Sequence, residues 1–381
     1  MDYNFSKVNE MVIKSAKDFC EREFPAIDAE MLRLGDYPQD LMQKFYKSRF
    51  LGMTVPKEYG GLGSTNLNFI LICEQLGYTG SVCFLPLALN TSVTETVNHA
   101  GTEEQKKRFI PPLCNGTFWA STAFTEPQTG SDPTMLSTTA EPQSDGGYIL
   151  NGTKRFISMA NKPGFGVFYC KDKSLDHPRK NCTAFILDKT TKGITFSDHY
   201  AFMGLEGADT CDVFLNDVYV PKENILGTPG DGFKLLTRWI AGERIQQAGA
   251  TVGAGQACLD ESVKYAKQRM VQGQPLAARE GFYWMFAEMK TRIDACRALT
   301  YKTVCLQDEG KRFEMDSAGL KVFVIPTIQE VARMALQIHG SYGYTKEYKV
   351  ERLYRMIMSG GVIASSTEIN KTIVGLSIVM S

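Results

Sequence analysis

The chain is 381 residues long and carries 42 Lys and Arg against 42 Asp and Glu, so its formal net charge at pH 7 is zero. This balance disfavours a nucleic-acid-binding protein, because binding to a phosphate backbone requires a basic excess. Hydrophobic residues make up 43% and charged residues 22%, which is typical of a globular protein and not of a disordered one. No apolar run reaches the roughly 20 residues of a membrane helix, so we expect no membrane insertion. At roughly 100–200 residues per domain, the length predicts two or three domains.

Cysteine and histidine usage argues against cross-links and metal sites. The 10 cysteines are scattered and none forms a CxxC pair, which is typical of reduced thiols in a cytosolic protein. The 4 histidines are not spaced like metal ligands, so the sequence predicts no metal site. The N-terminal residues Met1 to Phe5 include an acid and no apolar signal core, which favours a cytoplasmic location.

The order of patterns along the chain predicts three domains. In residues 1–116, Val12, Ala16, Phe19 and Phe24 recur at near-helical spacing, which predicts an N-terminal helical domain. Residues 117–227 are rich in Thr, Val, Phe, Gly and Asn in short runs, which predicts a central β-domain. Residues 228–381 return to long helical patterns and are predicted to form a C-terminal helical domain.

Two further predictions concern local structure. The run Tyr148–Leu150 is predicted to be a strand that ends in a hairpin-type turn at Asn151-Gly152. In the C-terminal domain, helices are predicted over residues 233–269, 283–307 and 315–338, where apolar residues repeat at helical spacing.

Five segments carry recognisable patterns in a consistent order. They are TEPQTGSD at 125–132, NGTKRFIS at 151–158, VPKENILG at 220–227, YAKQR at 265–269 and QIHGSYGY at 337–344. Together they resemble the acyl-CoA dehydrogenase family, over essentially the whole chain. The resemblance implies an α+β multidomain fold with an N-terminal helical domain, a central β-barrel-like domain and a C-terminal four-helix bundle.

The resemblance also implies FAD as the cofactor. A flavin ring needs an apolar wall and a few hydrogen-bond donors, although Thr and Phe are also ordinary strand residues. The YAKQR arginine would bind the cofactor phosphates, a task that suits a guanidinium because it pairs bidentately. The positions that the resemblance assigns to FAD are Phe124, Thr125, Ser131, Phe156, Ser158, Arg269, Gln337, Gly340, Ser366 and Glu368.

The catalytic base of the family is missing from its usual place. Most members use the glutamate of a YEGTSEIQ segment, and here the matching residues 363–370 read IASSTEIN, with Ala364 at the glutamate position. Some members instead carry the glutamate on a long C-terminal helix, and the matching residue is Glu243, which we predict to be the base. The other acids considered are Glu95, Glu206 and Asp209. The predicted substrate contacts are Ser131, Glu95, Arg244 and Ala364.

By resemblance, the expected activity is α,β-desaturation of an acyl-CoA, in which a carboxylate removes the α proton and a hydride leaves for flavin N5. The relocated base favours a branched or alicyclic substrate such as a cyclohexane- or cyclohexene-carboxyl-CoA. An electron-transferring flavoprotein is the expected electron acceptor, and a homo-oligomer, tetramer or dimer, is the expected assembly. The alternatives are an enoyl-CoA reductase, an oxygen-using flavoenzyme, and a catalytically silent protein that binds CoA thioesters.

Overall fold

The computed structural model describes residues 5–177 and 180–380. The first four residues, which contributed to the predicted cytoplasmic location, lie outside this range. Within the described part of the chain, no helix is both long and apolar enough to cross a membrane. The N-terminal helices are α1 Lys7–Leu34, α2 Leu41–Lys47, α3 Asn66–Thr79, α4 Phe84–Ala100 and α5 Glu103–Cys114.

Helix α1 starts and packs as its sequence indicates. The Ser6 hydroxyl accepts the N–H of Asn9, and the Asn9 side chain accepts the N–H of Ser6, so two free donors of the first turn are satisfied. The predicted apolar stripe faces the core, where Ala16, Phe19 and Phe24 are buried.

The central part is an eight-stranded sheet in the order β6-β7-β3-β2-β4-β5-β8, and β1 also pairs with β4. Strands β1 and β2 run parallel to β4, whereas the other neighbouring pairs are antiparallel. The strands are β1 Trp119–Ala123, β2 Thr139–Pro142, β3 Tyr148–Ser158, β4 Gly164–Asp172, β5 Cys182–Asp188, β6 Ile194–Phe196, β7 Thr210–Val220 and β8 Ile225–Leu226.

The hairpin-type turn predicted at Asn151-Gly152 is wrong. Strand β3 continues through both residues and pairs with β7 on either side of an irregularity between Leu150 and Gly152. Gly152 has a φ of +147°, and a Cβ at this position would lie 2.7 Å from Thr138 Cα. The glycine therefore allows close approach of a neighbouring backbone at a β-bulge, and it does not mark a turn.

The C-terminal part contains the three predicted long helices and two shorter ones. The chain there forms α6 Gly232–Gln268, β9 Met270–Val271, β10 Gln274–Pro275, α7 Glu280–Asp308, α8 Glu314–His339, α9 Lys349–Ser359 and α10 Thr367–Val379. Strands β9 and β10 form a separate two-stranded sheet. The order of helical, sheet and helical domains is confirmed, and our proposed domain boundaries fall in the connections between α5 and β1 and between β8 and α6.

A buried ion pair holds the loop after β1 against the sheet. Lys154 Nζ on β3 lies 2.7 Å from Glu126 Oε1, and neither side chain is exposed. Burial by itself opposes ionisation of Glu126. The charge of Lys154 and the hydrogen bonds from Ser137 and Thr138 outweigh burial and lower the pKa of Glu126 to about 2. Because Glu126 belongs to the TEPQTGSD segment, this pair fixes the backbone beside Thr125.

We expect Lys154→Met to lower the free energy of unfolding by about 3–5 kcal/mol, because it leaves the Glu126 carboxylate buried without its counter-charge. Urea denaturation of the purified protein measures this change. The matched control is Lys173→Met, which removes an exposed pair with Glu141 and should cost less than about 1 kcal/mol. Equal losses in the two variants would contradict the structural role of the buried pair.

Candidate active site

Glu243 lies on α6 where this helix faces α4. Its carboxylate accepts a hydrogen bond from the Ser92 hydroxyl on α4. The pKa of Glu243 is raised to about 7, mainly by burial, with a smaller increase from the charge of Glu95 and an opposing decrease from the Ser92 hydrogen bond. A carboxyl group with a pKa near 7 can exchange a proton with a reacting carbon at neutral pH.

A cavity of about 370 Å³ lies beside this pair, between α4 and α6. Glu95 is the one acidic side chain among the described residues that line it, and it accepts a hydrogen bond of 2.7 Å from Thr54 Oγ1. Burial also raises the pKa of Glu95. Ser92 lines the same cavity, so the structure brings together the predicted base, the predicted substrate contact Glu95 and the polar cavity.

The two other acids considered from the sequence are engaged elsewhere. Glu206 forms an ion pair with Arg355 on α9. Asp209 is buried at the start of β7, with its Oδ1 atom 3.1 Å from His199 Nε2 and its Oδ2 atom 3.7 Å from Lys162 Nζ. Neither residue lines the cavity beside Glu243.

The loop between α9 and α10 contains Ala364 in an unusual backbone conformation. Ala364 and Ser365 have φ values of +54° and +72°, a region that non-glycine residues seldom occupy. Ser365 Oγ accepts hydrogen bonds from Arg244 Nη2 at 3.1 Å and from Asn370 Nδ2 at 2.8 Å. These side-chain contacts help to offset the strain, and they connect the loop to the residue that follows Glu243 on α6.

Lys321 is a site residue that the sequence analysis missed. It is buried on α8, and its ammonium group donates to Gln247 Oε1 at 2.7 Å and to the backbone carbonyls of Gly360 and Ile363. Three acceptors match the three N–H bonds of an ammonium, although burial, followed by the charge of Arg244, lowers the pKa of Lys321 to about 7. A lysine inside the apolar run AGLKVFVI at 318–325 was the available signal.

The residues predicted to contact a flavin ring come from two adjacent segments. The backbone N–H of Arg155 donates to the carbonyl of Thr125 at 2.8 Å, so the segment after β1 lies against the end of β3. Phe156 has a φ of +57° at a second irregularity of β3, and 51% of its surface is exposed. Ser158 Oγ lies 3.0 Å from Thr210 Oγ1 on β7. Phe124 is partly buried and packs against a buried apolar cluster that includes Ala120 and Phe165.

The remaining predicted cofactor contacts lie in the segment after β1, at the ends of α6 and α8, and at the start of α10. Arg269 directly follows α6, with its guanidinium carbon 5.7 Å from the ring centre of Tyr342. Gln337, in the last turn of α8, and Gly340, which follows that helix, are exposed. Ser366 caps α10 by accepting the N–H of Ile369 at 3.3 Å. Ser131 and Glu368 are exposed. The roles of these residues toward FAD stay predictions.

Three family models match the chain in order. They describe the acyl-CoA dehydrogenase N-terminal domain over residues 6–117, the middle domain over residues 121–218 and the C-terminal domain over residues 230–379. The chain belongs to the acyl-CoA dehydrogenase family. It is therefore an oxidoreductase of that family, and the family predicted from the five sequence segments is confirmed.

Relatives match over nearly the full length. The "3-(aryl)acrylate reductase" of Clostridium sporogenes is 33% identical over 97% of this chain and 98% of its own. The CarC subunit of the caffeyl-CoA reductase-Etf complex of Acetobacterium woodii is 35% identical over 92% of this chain and 93% of its own. The structure of butyryl-CoA dehydrogenase from Megasphaera elsdenii is similar with a TM-score of 0.95 and 32% identity, covering 100% of both chains.

Members of the acyl-CoA dehydrogenase family depend on FAD, and the residues present here fit this cofactor. Phe156 is half-exposed, and the hydroxyl-bearing residues Thr125 and Ser158 lie on the two segments that the Arg155–Thr125 backbone hydrogen bond joins. On β1, three residues before Thr125, Thr122 Oγ1 is buried without a hydrogen-bond partner in the described part of the chain. This hydroxyl could form a hydrogen bond with a polar atom of the cofactor. Arg269 supplies an exposed cation for phosphate.

We expect Lys321→Met to destabilise the protein by about 1–3 kcal/mol, because it leaves the Gly360 and Ile363 carbonyls buried without a donor. The loop at residues 360–366 should then be cleaved faster by a protease than in the wild type. Lys302→Met is the control, because it removes a partly exposed pair with Asp316. Unchanged stability and cleavage in Lys321→Met would refute the anchoring role.

Proposed function

We propose that this protein interconverts an acyl-CoA and its α,β-enoyl-CoA, with Glu243 exchanging the α proton. The observation that carries the proposal is the partly buried carboxyl of Glu243, whose pKa is raised to about 7. Bound FAD would accept or supply the hydride at the β-carbon. Alanine at position 364 has no group that can take a proton, so a base is needed from another element, and α6 provides one.

The loop can still support the thioester carbonyl. The backbone N–H of Ala364 donates to no acceptor among the described residues, so it is free to donate to the carbonyl oxygen as negative charge develops there. Lys321 and Arg244 hold the flanking residues of this loop. In this proposal Glu243 moves the proton and the loop backbone stabilises the enolate-like charge.

A second candidate is the same chemistry run as enoyl-CoA reduction, in which protonated Glu243 gives its proton to the α-carbon. Two relatives favour this direction, because they are named a 3-(aryl)acrylate reductase and a subunit of a caffeyl-CoA reductase-Etf complex. They also favour an aryl-bearing acyl group beside the branched or alicyclic groups, such as cyclohexane-carboxyl, expected from the sequence. The substrate class is identified by testing straight, branched, alicyclic and aryl-bearing CoA thioesters. Saturated thioesters are tested for bleaching of the flavin, and enoyl thioesters for reoxidation of the reduced flavin.

The proposal includes an electron-transferring flavoprotein as redox partner, supported by the Etf complex of the second relative. Rapid reoxidation of the reduced protein by oxygen alone would instead indicate an oxidase or hydroxylase. Failure to bleach with every thioester would indicate a silent binding protein. We also propose a homo-oligomer, supported by the exposed aromatic residues Trp284 and Tyr344, which are 63% and 87% exposed.

Glu243→Gln should slow flavin reduction by the best thioester about 10²–10⁴-fold, because the amide retains the shape of the side chain but cannot take a proton. Stopped-flow absorbance of the FAD-loaded protein measures this rate. Glu288→Gln on α7 is the control, because this glutamate forms an exposed pair with Arg292, and it should reduce its flavin at the wild-type rate. A wild-type rate in Glu243→Gln would show that Glu243 is not the base.

The pH dependence should identify the same group. Oxidation of a saturated thioester needs ionised Glu243, so its rate should rise with pH through about 7 and then level off. Reduction of an enoyl thioester needs the protonated acid, so its rate should fall through the same range. Opposite slopes for the two directions in the wild type, with both slopes lost in Glu243→Gln, are the expected result. Parallel slopes would point to a different titrating group.

A further inference from the structure

The cavity beside Glu243 extends from a buried hydroxyl to the surface of the protein. At its inner end are the buried residues Ser92 and Thr96, and at its outer end are the exposed residues His99 and Arg238. Its volume of about 370 Å³ is well above the roughly 10–15 Å³ that one water molecule requires. Because its walls carry hydroxyl, carboxyl and indole N–H groups, the cavity is suited to hold several hydrogen-bonded waters.

The Ser92 hydroxyl is placed to pass a proton to or from Glu243. It lies within hydrogen-bond distance of three oxygens: Ala88 O at 3.0 Å, Gln246 Oε1 at 3.1 Å and Glu243 Oε1. A hydroxyl has one proton and so can donate to one of them at a time. The Gln246 amide in its reversed orientation, or Glu243 in its acid form, can in turn donate a hydrogen bond to Ser92.

The proposed reaction creates a need for such a route. A CoA thioester that reacts at Glu243 covers the carboxyl from the substrate side, yet each turnover leaves one proton on Glu243 or consumes one. Ser92 contacts Glu243 and also lines the cavity. Glu95, held by Thr54 in the wall of the same cavity, is a carboxylate that can accept the proton further out.

We propose that Ser92 and this cavity form the path by which Glu243 exchanges its proton with solvent while the thioester is bound, with Glu95 as the next proton acceptor. In the oxidative direction the acid form of Glu243 gives its proton to Ser92 Oγ as Ser92 gives its own proton to a water in the cavity. That water passes a proton to the Glu95 carboxylate or to bulk solvent. The reductive direction reverses each transfer. This inference rests on the proposed function of Glu243.

Loss of an isotope label from the substrate tests the path. The FAD-loaded protein is mixed, without oxygen, with 3-phenylpropionyl-CoA or butyryl-CoA carrying deuterium at the α-carbon, in ordinary water. In the wild type we expect deuterium on Glu243 to reach solvent, so the recovered thioester contains hydrogen at the α-carbon. In Ser92→Ala the label should return to the same carbon, and loss of deuterium should fall at least about tenfold, with a smaller change in the initial bleaching rate.

Three further variants make the test specific. Ser92→Thr retains a hydroxyl and should restore the loss of label. Glu95→Gln should slow the loss of label by a larger factor than it slows the initial bleaching. Thr94→Val is the control, because Thr94 is a buried hydroxyl on α4 that bonds to Asn90 O and does not line the cavity, and it should behave as the wild type. If Ser92→Ala does not fold, the Glu95→Gln result decides.

The outcomes separate the two proposals. The path is overturned, and Glu243 remains the base, if two results occur together. These are loss of label at the wild-type rate in both Ser92→Ala and Glu95→Gln, and no loss of label in Glu243→Gln. Wild-type loss of label in Glu243→Gln overturns both proposals. Slow loss of label in Ser92→Ala that Ser92→Thr does not restore also overturns the path, because the effect would then come from packing and not from the hydroxyl.

Discussion

Direct contact between the backbones of α3 and α6 sets the position of Glu243. A Cβ at Gly77 would lie 1.9 Å from the carbonyl oxygen of Ala250, and one at Gly253 would lie 1.8 Å from that of Glu74. The two helices can approach this closely only because glycine stands at both positions. Helix α6 is thereby held against the N-terminal helices along one side, so its earlier turns face α4. The cavity and the Ser92 contact both lie in that region.

Two consecutive side chains of α6 contact different neighbours, α4 and the loop between α9 and α10. Glu243 points toward Ser92 on α4, and Arg244 contacts Ser365 in the loop between α9 and α10. One turn further, Gln247 accepts a hydrogen bond from Lys321, which also holds the carbonyls of that loop. A carboxyl on α6 and a backbone N–H at Ala364 can therefore belong to one site, although 121 positions separate Arg244 from Ser365 along the chain.

Buried charge is handled differently in the two halves of the molecule. In the β-domain, Glu126 and Lys154 pair directly, and the pKa of the carboxyl is lowered to about 2. Glu243 on α6 contacts a hydroxyl and, among the described residues, forms no ion pair, so burial is the main cause that raises its pKa to about 7. The first arrangement fixes a loop, and the second is suited to the proton exchange proposed for Glu243. The presence or absence of a paired cation accounts for the difference in pKa.

The sequence by itself determined the order of domains, the long C-terminal helices and the family, because these depend on periodicity and on local motifs that neighbouring residues carry together. The family resemblance also led to the prediction of Glu243 as the base, since alanine at position 364 cannot accept a proton. The sequence misplaced a turn at Asn151-Gly152, because the glycine there is required by the close approach of Thr138, which belongs to another segment. Only the tertiary structure brought Ser92 and Lys321 to the site and showed that Glu95, already a candidate from the sequence, lines the cavity there. Their roles depend on contacts between separate helices. No spacing within one segment encodes those contacts, or the burial that shifts the pKa values of Glu95 and Lys321.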